Sequence, residues 1–116
     1  MLLPTLKIGD LEARVPIIQG GMSVGISLSG LASAVANEDG IGVIGTALIG
    51  MREPDYRSNY LEANIRGMKK EIKKARQMSD GIIGVNIMVV LTNYADTIRT
   101  AIEERVDIIF RCRTSP

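Results

Sequence analysis

Four short runs of branched apolar residues, separated by segments long enough for helices, constrain the fold more than any other feature of this chain. Because the runs are apolar on both faces and their connections are too long for hairpins, they predict parallel strands joined by right-handed helical crossovers. A strand broken by a hairpin-type turn signal at Gly9 and Asp10 precedes them. The predicted strands span residues 14–19, 41–44, 82–90 and 106–110, and the helices end near residues 37, 78 and 104.

The predicted helices each carry an apolar stripe with helical spacing. Ser27 or Ser29 is predicted to cap the first helix, which runs through about Asn37. The second runs from about Ser58 to Met78, and the third begins near residue 96. The stripes are Leu31, Ala32, Val35 and Ala36 in the first helix, Leu61, Ile65, Met68, Ile72 and Ala75 in the second, and Ile98 and Ile102 in the third.

Two α/β architectures fit this order of elements: a small doubly wound domain and the first half of a (β/α)₈ barrel of about 250 residues. No helix follows the fourth strand to cover it, which favours the half-barrel. We therefore predict parallel βα repeats that form the N-terminal half of a TIM barrel over residues 1–110, truncated after the fourth strand. An uncovered strand edge also predicts self-association.

Composition excludes several classes of function. The 116 residues include no histidine and a single cysteine, Cys112, which excludes a histidine base, a Cys/His metal cluster and an internal disulfide. We read no signal peptide at the N-terminus, and the most apolar segment, residues 82–91, is too short to span a bilayer. These features predict a cytoplasmic protein without a membrane partner.

The long predicted helix carries a basic surface, but its pattern does not indicate nucleic-acid binding. Glu62 and Glu71 lie within helical reach of the cations, and no aromatic residue is interleaved with them. Net charge is only +1, and aromatic residues make up 3% of the chain. We therefore interpret the surface as a solvated face; its cations are Arg66, Lys69, Lys70, Lys73, Lys74 and Arg76.

Glycine placement supplies the main functional signal. Residues 40–45 match G-x-G-x-x-G, but they follow a helix and lie in a strand, whereas a dinucleotide site needs glycines that open a helix. Gly20, Gly21 and Met22 instead follow the first strand at its carboxyl end, where parallel α/β folds bind ligands. Paired glycines would let a planar or phosphorylated ligand approach the backbone, although a tight turn explains them equally well.

Two polar residues sit at matching strand ends. Asn86 lies within an apolar strand, where its carboxamide must find a partner; a ligand heteroatom and a neighbouring backbone carbonyl are the two alternatives. We favour the ligand because of the position. Thr46 follows the second strand at the equivalent place and is a weaker candidate.

Four segments in this order resemble the N-terminal part of the nitronate monooxygenase family, which was formerly called 2-nitropropane dioxygenases and is related to FMN-dependent enoyl-ACP reductases. They are Pro-Ile-Ile-Gln-Gly-Gly-Met at residues 16–22, Leu-Ala-Ser-Ala-Val-Ala at 31–36, Gly-Ile-Gly-Val-Ile-Gly at 40–45 and Gly-Val-Asn-Ile-Met-Val at 84–89. The resemblance covers residues 4–110.

The resemblance implies a flavin-binding TIM barrel that oxidises alkyl nitronates with FMN and oxygen. It implies that Gly20, Gly21 and Met22 lie against the flavin and that Asn86 contacts it. Family members carry a catalytic histidine and the main FMN phosphate site in later segments, and neither is present here. The alternatives are an enoyl-ACP reductase-like enzyme and a non-enzymatic α/β module that binds a ligand or partner.

The last six residues depart from the family pattern. Similar chains continue after Phe110 as Ser-Gly-Ala-Gly-Leu-Pro, and one choice of codons for Phe-Arg-Cys-Arg-Thr-Ser, starting at Phe110, encodes that segment when read in a shifted frame. We therefore interpret residues 111–116 as a frameshifted tail, in which Cys112 is neither nucleophile nor ligand.

Overall fold

A computed structural model describes residues 3–113 of the chain. The elements in order are β1 (Leu6–Ile8), β2 (Leu11–Ala13), α1 (Ser29–Asn37), β3 (Ile41–Gly45), α2 (Tyr60–Met78), β4 (Ile82–Met88), α3 (Tyr94–Glu103) and β5 (Ile108–Cys112). The predicted succession of strands and helices after residue 28 is confirmed.

The strands form two sheets. β1 and β2 pair antiparallel, and Gly9 has a φ of 56° in the turn between them, as the hairpin signal predicts. The other sheet is parallel, with spatial order β3-β4-β5. Each strand is therefore added beside its predecessor on the same side, as consecutive βα repeats do.

The parallel sheet has two chemically different faces. One face packs against the helices, and its core includes Ile44, Ile83 and Val85 from the strands and Met68 and Ile72 from α2. We call the opposite side the open face. There the β1–β2 hairpin covers the amino ends of the strands, where Ala13 packs in one cluster with Ile41 and Val43. The hairpin does not cover the carboxyl ends of the strands, which continue into loops.

Gly42 and Gly45 explain why residues 40–45 match a dinucleotide motif without serving one. Gly42 faces α1, and a Cβ built on it would lie 1.9 Å from the Ala32 carbonyl oxygen. Gly45 lies on the other face, and its Cβ would lie 2.6 Å from the Met22 carbonyl oxygen. Both glycines permit close packing within a strand, and neither opens a helix.

The segment 14–19 is the first correction to the sequence-based interpretation. It was expected to be a buried strand, but it forms only one isolated bridge, between Ile18 and Ile41. Ile17 is 55% exposed and Ile18 is 44% exposed. The segment lies at the edge of the sheet with β3 on one side only, so apolar composition alone does not bury it.

Helix details differ from expectation for tertiary reasons. Neither Ser27 nor Ser29 caps α1 through its side chain; the Glu71 carboxylate, reaching over from α2, accepts a hydrogen bond of 2.9 Å from the Ser29 N–H. In α3 the predicted inner residue Ile102 is 64% exposed, because Ala101 faces the core instead. Leu31 and Leu61 are likewise exposed.

The basic surface of α2 is largely matched by nearby carboxylates. Glu53 lies within 4 Å of both Arg66 and Lys70, and further pairs join Lys74 to Glu71 and Arg76 to Asp107. These pairs leave little uncompensated positive charge to attract a phosphate backbone.

β5 continues through Arg111 and Cys112, so it crosses the predicted boundary between domain and tail at residue 110. The last three residues of the predicted tail, 114–116, lie outside the described residues. Within residues 3–113, no helix combines the length and hydrophobicity that a membrane crossing requires.

Candidate functional site

Residues that the sequence singles out meet at the carboxyl ends of the strands on the open face. We call this place the rim; it comprises the loop 20–28 and the carboxyl-terminal parts of β3, β4 and β5 at Gly45, Asn86 and Cys112. Gly45 and Asn86 are register partners in β3 and β4. The rim forms because parallel strands all end at one side of the sheet, so the loops that follow them lie close together.

The contact between Gly21 and Asn86 lies at the centre of the rim. Asn86 Nδ2 donates a hydrogen bond of 2.9 Å to the Gly21 carbonyl oxygen, across 65 residues of sequence. A Cβ built on Gly21 would lie 2.8 Å from Val43 Cγ1 and 2.9 Å from Asn86 Cβ. Gly21 therefore lets the loop reach the strand, and Asn86 has the backbone-carbonyl partner that was one of its two alternatives.

The N–H groups of Gly20 and Gly21 have no acceptor among residues 3–113. Gly20 is exposed, and a Cβ on it would meet nothing within 4 Å, so its surroundings are open. Because the protein supplies no acceptor for these two adjacent donors and the space beside Gly20 is open, both donors are available to an acceptor-bearing ligand.

Ser27 fixes the next part of the loop. Its hydroxyl accepts a hydrogen bond of 2.9 Å from the Met22 N–H, and its own N–H donates to the Met22 carbonyl oxygen at 2.8 Å. The Met22 side chain remains 60% exposed at the rim. Thus the backbone of Met22 is held firmly while its thioether is free to contact a ligand.

Thr46 lies beside the rim but is turned away from the open face. It is only 4% exposed, and its hydroxyl donates to the Asn86 carbonyl oxygen at 2.8 Å. Its N–H bonds the same oxygen at 3.2 Å. The structure therefore gives Thr46 a role in joining the end of β3 to β4 through the backbone carbonyl of Asn86.

Cys112, which the sequence analysis interprets as neither nucleophile nor ligand, also lies at the rim. Its thiol donates a hydrogen bond of 2.9 Å to Asn86 Oδ1 from the end of β5. Asn86 is thus held from both sides, with Nδ2 directed to Gly21 and Oδ1 directed to Cys112. One N–H of Nδ2 and one lone pair of Oδ1 remain for a further partner.

The loop between Met22 and Ser27 contains a strained residue. Val24 has a φ of 61°, a left-handed conformation that is uncommon for a β-branched side chain. Its N–H donates to the Ala47 carbonyl oxygen at 3.1 Å, which ties the loop to the segment after β3. Val24 lies in the rim loop, and strained backbone conformations of this kind are found most often in functional loops.

The family follows from a match along nearly the whole chain. The family model described as nitronate monooxygenase matches residues 5–111. The chain belongs to the nitronate monooxygenase family. This confirms the resemblance, and enzymes of the family use FMN.

Solved structures agree with this assignment. FabK from Thermotoga maritima is 29% identical over 83% of this chain, with a TM-score of 0.63. A methionine-to-alanine variant of that FabK is 32% identical over 87% of this chain, with a TM-score of 0.66. This chain spans only 26% and 29% of the lengths of those two FabK chains. No curated protein matches it.

The structure brings most of the predicted site residues together. Gly20, Gly21, Met22 and Asn86 share the rim, and Thr46 is buried next to it, bonded to the Asn86 backbone carbonyl. Gln19 was not among the predicted site residues, although its side chain makes three hydrogen bonds there. A polar residue that ends an apolar edge segment just before two glycines is the signal that could have found it.

Proposed function

We propose that the rim holds the isoalloxazine ring of FMN in an oxidoreductase of the nitronate monooxygenase type, which oxidises alkyl nitronates. One observation carries the proposal: two adjacent amide donors, at Gly20 and Gly21, have no acceptor among residues 3–113, and Gly21 contacts the carboxamide of Asn86 at the carboxyl side of the parallel sheet. An isoalloxazine presents ring nitrogens and carbonyl oxygens along one edge, which is the acceptor pattern that such donors satisfy.

The residues present fit this group. No side chain stands above Gly20, so a planar ring can approach the backbone there. The Gly20 and Gly21 N–H groups would donate to the ring edge, Asn86 would use its remaining donor or acceptor, and the exposed Met22 would pack on the ring. When bound, FMN would supply the redox chemistry by carrying electrons from the nitronate to oxygen.

The proposal describes the flavin-facing part of a barrel rather than a complete catalyst. The chain has no histidine, so it lacks the histidine base that would deprotonate a nitroalkane. A nitronate has already lost that proton and does not need the base. It also spans little more than a quarter of the FabK chains. We therefore expect the 116-residue chain to bind FMN weakly and to turn over poorly on its own.

A titration of FMN with a matched pair of variants tests the cofactor site. Asn86→Ala removes the side-chain bond to the Gly21 carbonyl, and Asn37→Ala removes a comparable bond, of 3.1 Å, to the Met78 carbonyl far from the rim. We expect the FMN affinity, measured by flavin fluorescence, to fall about tenfold in the first variant only. Equal affinities in the two variants, or no binding by the wild-type chain, would contradict the proposal.

An enoyl-ACP reductase-like activity is the second candidate, and the similarity to FabK favours it. The two activities reduce the flavin from different donors, so they can be separated without complete turnover. The FMN-loaded chain is mixed anaerobically with an alkyl nitronate or with NAD(P)H, and flavin absorbance is followed. Bleaching by the nitronate supports the first proposal, and bleaching by NAD(P)H alone supports the second.

A non-enzymatic module is the third candidate, and β5 provides its surface. Within residues 3–113, β5 pairs only with β4, so its outer edge has no neighbouring strand. We propose that this edge supports self-association, because open strand edges template pairing with another chain. Sedimentation at rising concentration should show an oligomer if the edge self-associates, and a strict monomer would contradict self-association. A cooperative unfolding transition without FMN binding, in a monomer or a discrete dimer, would favour a free-standing module over a half-barrel.

A further inference from the structure

Gln19 is the last residue of the edge segment whose backbone pairs with β3 in the regular parallel pattern. Before that point the pairing is ordinary. Ile41 donates to the Ile17 carbonyl at 2.9 Å and accepts from the Gln19 N–H at 3.0 Å. In a parallel ladder the same pattern would repeat two residues later, with Val43 bonded to the Gln19 carbonyl and to the Gly21 N–H.

The Gln19 side chain takes both of those bonds. Its Oε1 accepts from the Val43 N–H at 2.9 Å, and its Nε2 donates to the Val43 carbonyl at 3.0 Å. A primary carboxamide has the same donor and acceptor as a peptide unit, so it can substitute for one rung of the ladder. The Nε2 group also donates to the Gly20 carbonyl at 3.0 Å, which fixes the start of the loop.

The consequence is that the backbone after Gln19 leaves the sheet. Gly21 turns inward over Val43, and its carbonyl accepts from Asn86 Nδ2. Its N–H and that of Gly20 find no acceptor among residues 3–113. The regular ladder would have used the Gly21 N–H on Val43 and removed it from the rim.

We infer that Gln19 is a positioning residue, whose side chain replaces a backbone rung at Val43 and thereby keeps the amide donor of Gly21 free at the rim, beside that of Gly20. The geometric part concerns the chain without ligand. The extension to FMN affinity rests on the function proposed above, so the two parts need separate measurements.

Hydrogen exchange of individual amides tests the geometric part. In the wild-type chain we expect protection at the Val43 N–H and none at Gly20 and Gly21. In Gln19→Leu the backbone can pair in the regular manner, so Val43 should stay protected and the Gly21 N–H should gain about tenfold protection. Gln77→Leu removes the only other glutamine, from the exposed side of α2, and should leave all three amides unchanged.

Two results would overturn the inference. If Gln19 were only a structural contact, Gln19→Leu would expose the Val43 N–H to exchange and leave Gly21 unprotected. A protected Gly21 N–H in the wild-type chain would also refute it, and that measurement needs no variant to fold.

FMN titration then tests the extension. We expect Gln19→Leu to bind FMN about tenfold more weakly than Gln77→Leu, because one donor has been withdrawn from the rim. If the exchange pattern is as expected but the affinities are equal, the positioning role stands and the flavin site is wrong. If the exchange pattern fails, the positioning role is wrong whatever the affinities.

Discussion

Gly20 and Gly21 are adjacent and chemically identical, yet the structure predicts opposite responses to one added methyl group. Neither has a left-handed backbone, so alanine is conformationally allowed at both positions. The Cβ of Gly20→Ala would enter open space. The Cβ of Gly21→Ala would lie 2.8 Å from Val43 Cγ1 and 2.9 Å from Asn86 Cβ.

The size of the effect follows from those contacts. Ordinary van der Waals contact begins near 3.4 Å, so the loop must move away by about 0.6 Å. Overpacking of this kind costs about 1–3 kcal/mol, and the movement also weakens the 2.9 Å bond between Asn86 and Gly21. We expect Gly21→Ala to lose about 2 kcal/mol of unfolding free energy, which lowers Tm by about 8 °C.

Urea and thermal unfolding of the two variants, followed by circular dichroism, provide the assay. Gly20→Ala should be as stable as the wild-type chain or more stable by about 0.4–1 kcal/mol, because alanine restricts the unfolded chain. Because both variants replace a glycine by an alanine, the difference between their stabilities cancels the effect of that replacement on the unfolded chain. Equal stabilities of the two variants would refute the packing of Gly21 between β3 and β4.

Three further substitutions probe other contacts by the same unfolding measurements. Gly42→Ala places a Cβ 1.9 Å from the Ala32 carbonyl oxygen, so α1 must separate from β3. A loss of more than about 3 kcal/mol is expected, and a loss under 1 kcal/mol would contradict that packing. Glu71→Gln removes the charge that caps α1 at Ser29, which should cost about 0.5–1 kcal/mol at low salt and less at high salt; an effect independent of salt would argue against the charge. Val24→Gly relieves a left-handed valine and should stabilise the chain by about 0.5–1 kcal/mol, whereas a destabilised variant would show that the conformation carries no strain.

The local pattern of the sequence predicted the regular elements well where burial follows a simple period. The apolar runs at 41–44 and 82–90 became β3 and β4, and the stripe through Met68 and Ile72 faces the core. The run at 14–19 has the same composition but lies at a sheet edge, so it stays half-exposed. Composition records how apolar a segment is, and only the assembled sheet decides how many neighbours it has.

The amino-acid sequence by itself determined that glycines and an asparagine would lie at the ends of parallel strands, since the order of strands and helices fixes which ends meet. Only the tertiary structure decided which groups bond to which. The Gln19 carboxamide binds Val43 24 residues away, Glu71 caps a helix 42 residues earlier, and Asn86 reaches Gly21 across 65 residues. The period of side chains along one element encodes burial, whereas a hydrogen bond between distant residues depends on how separate elements are oriented in space.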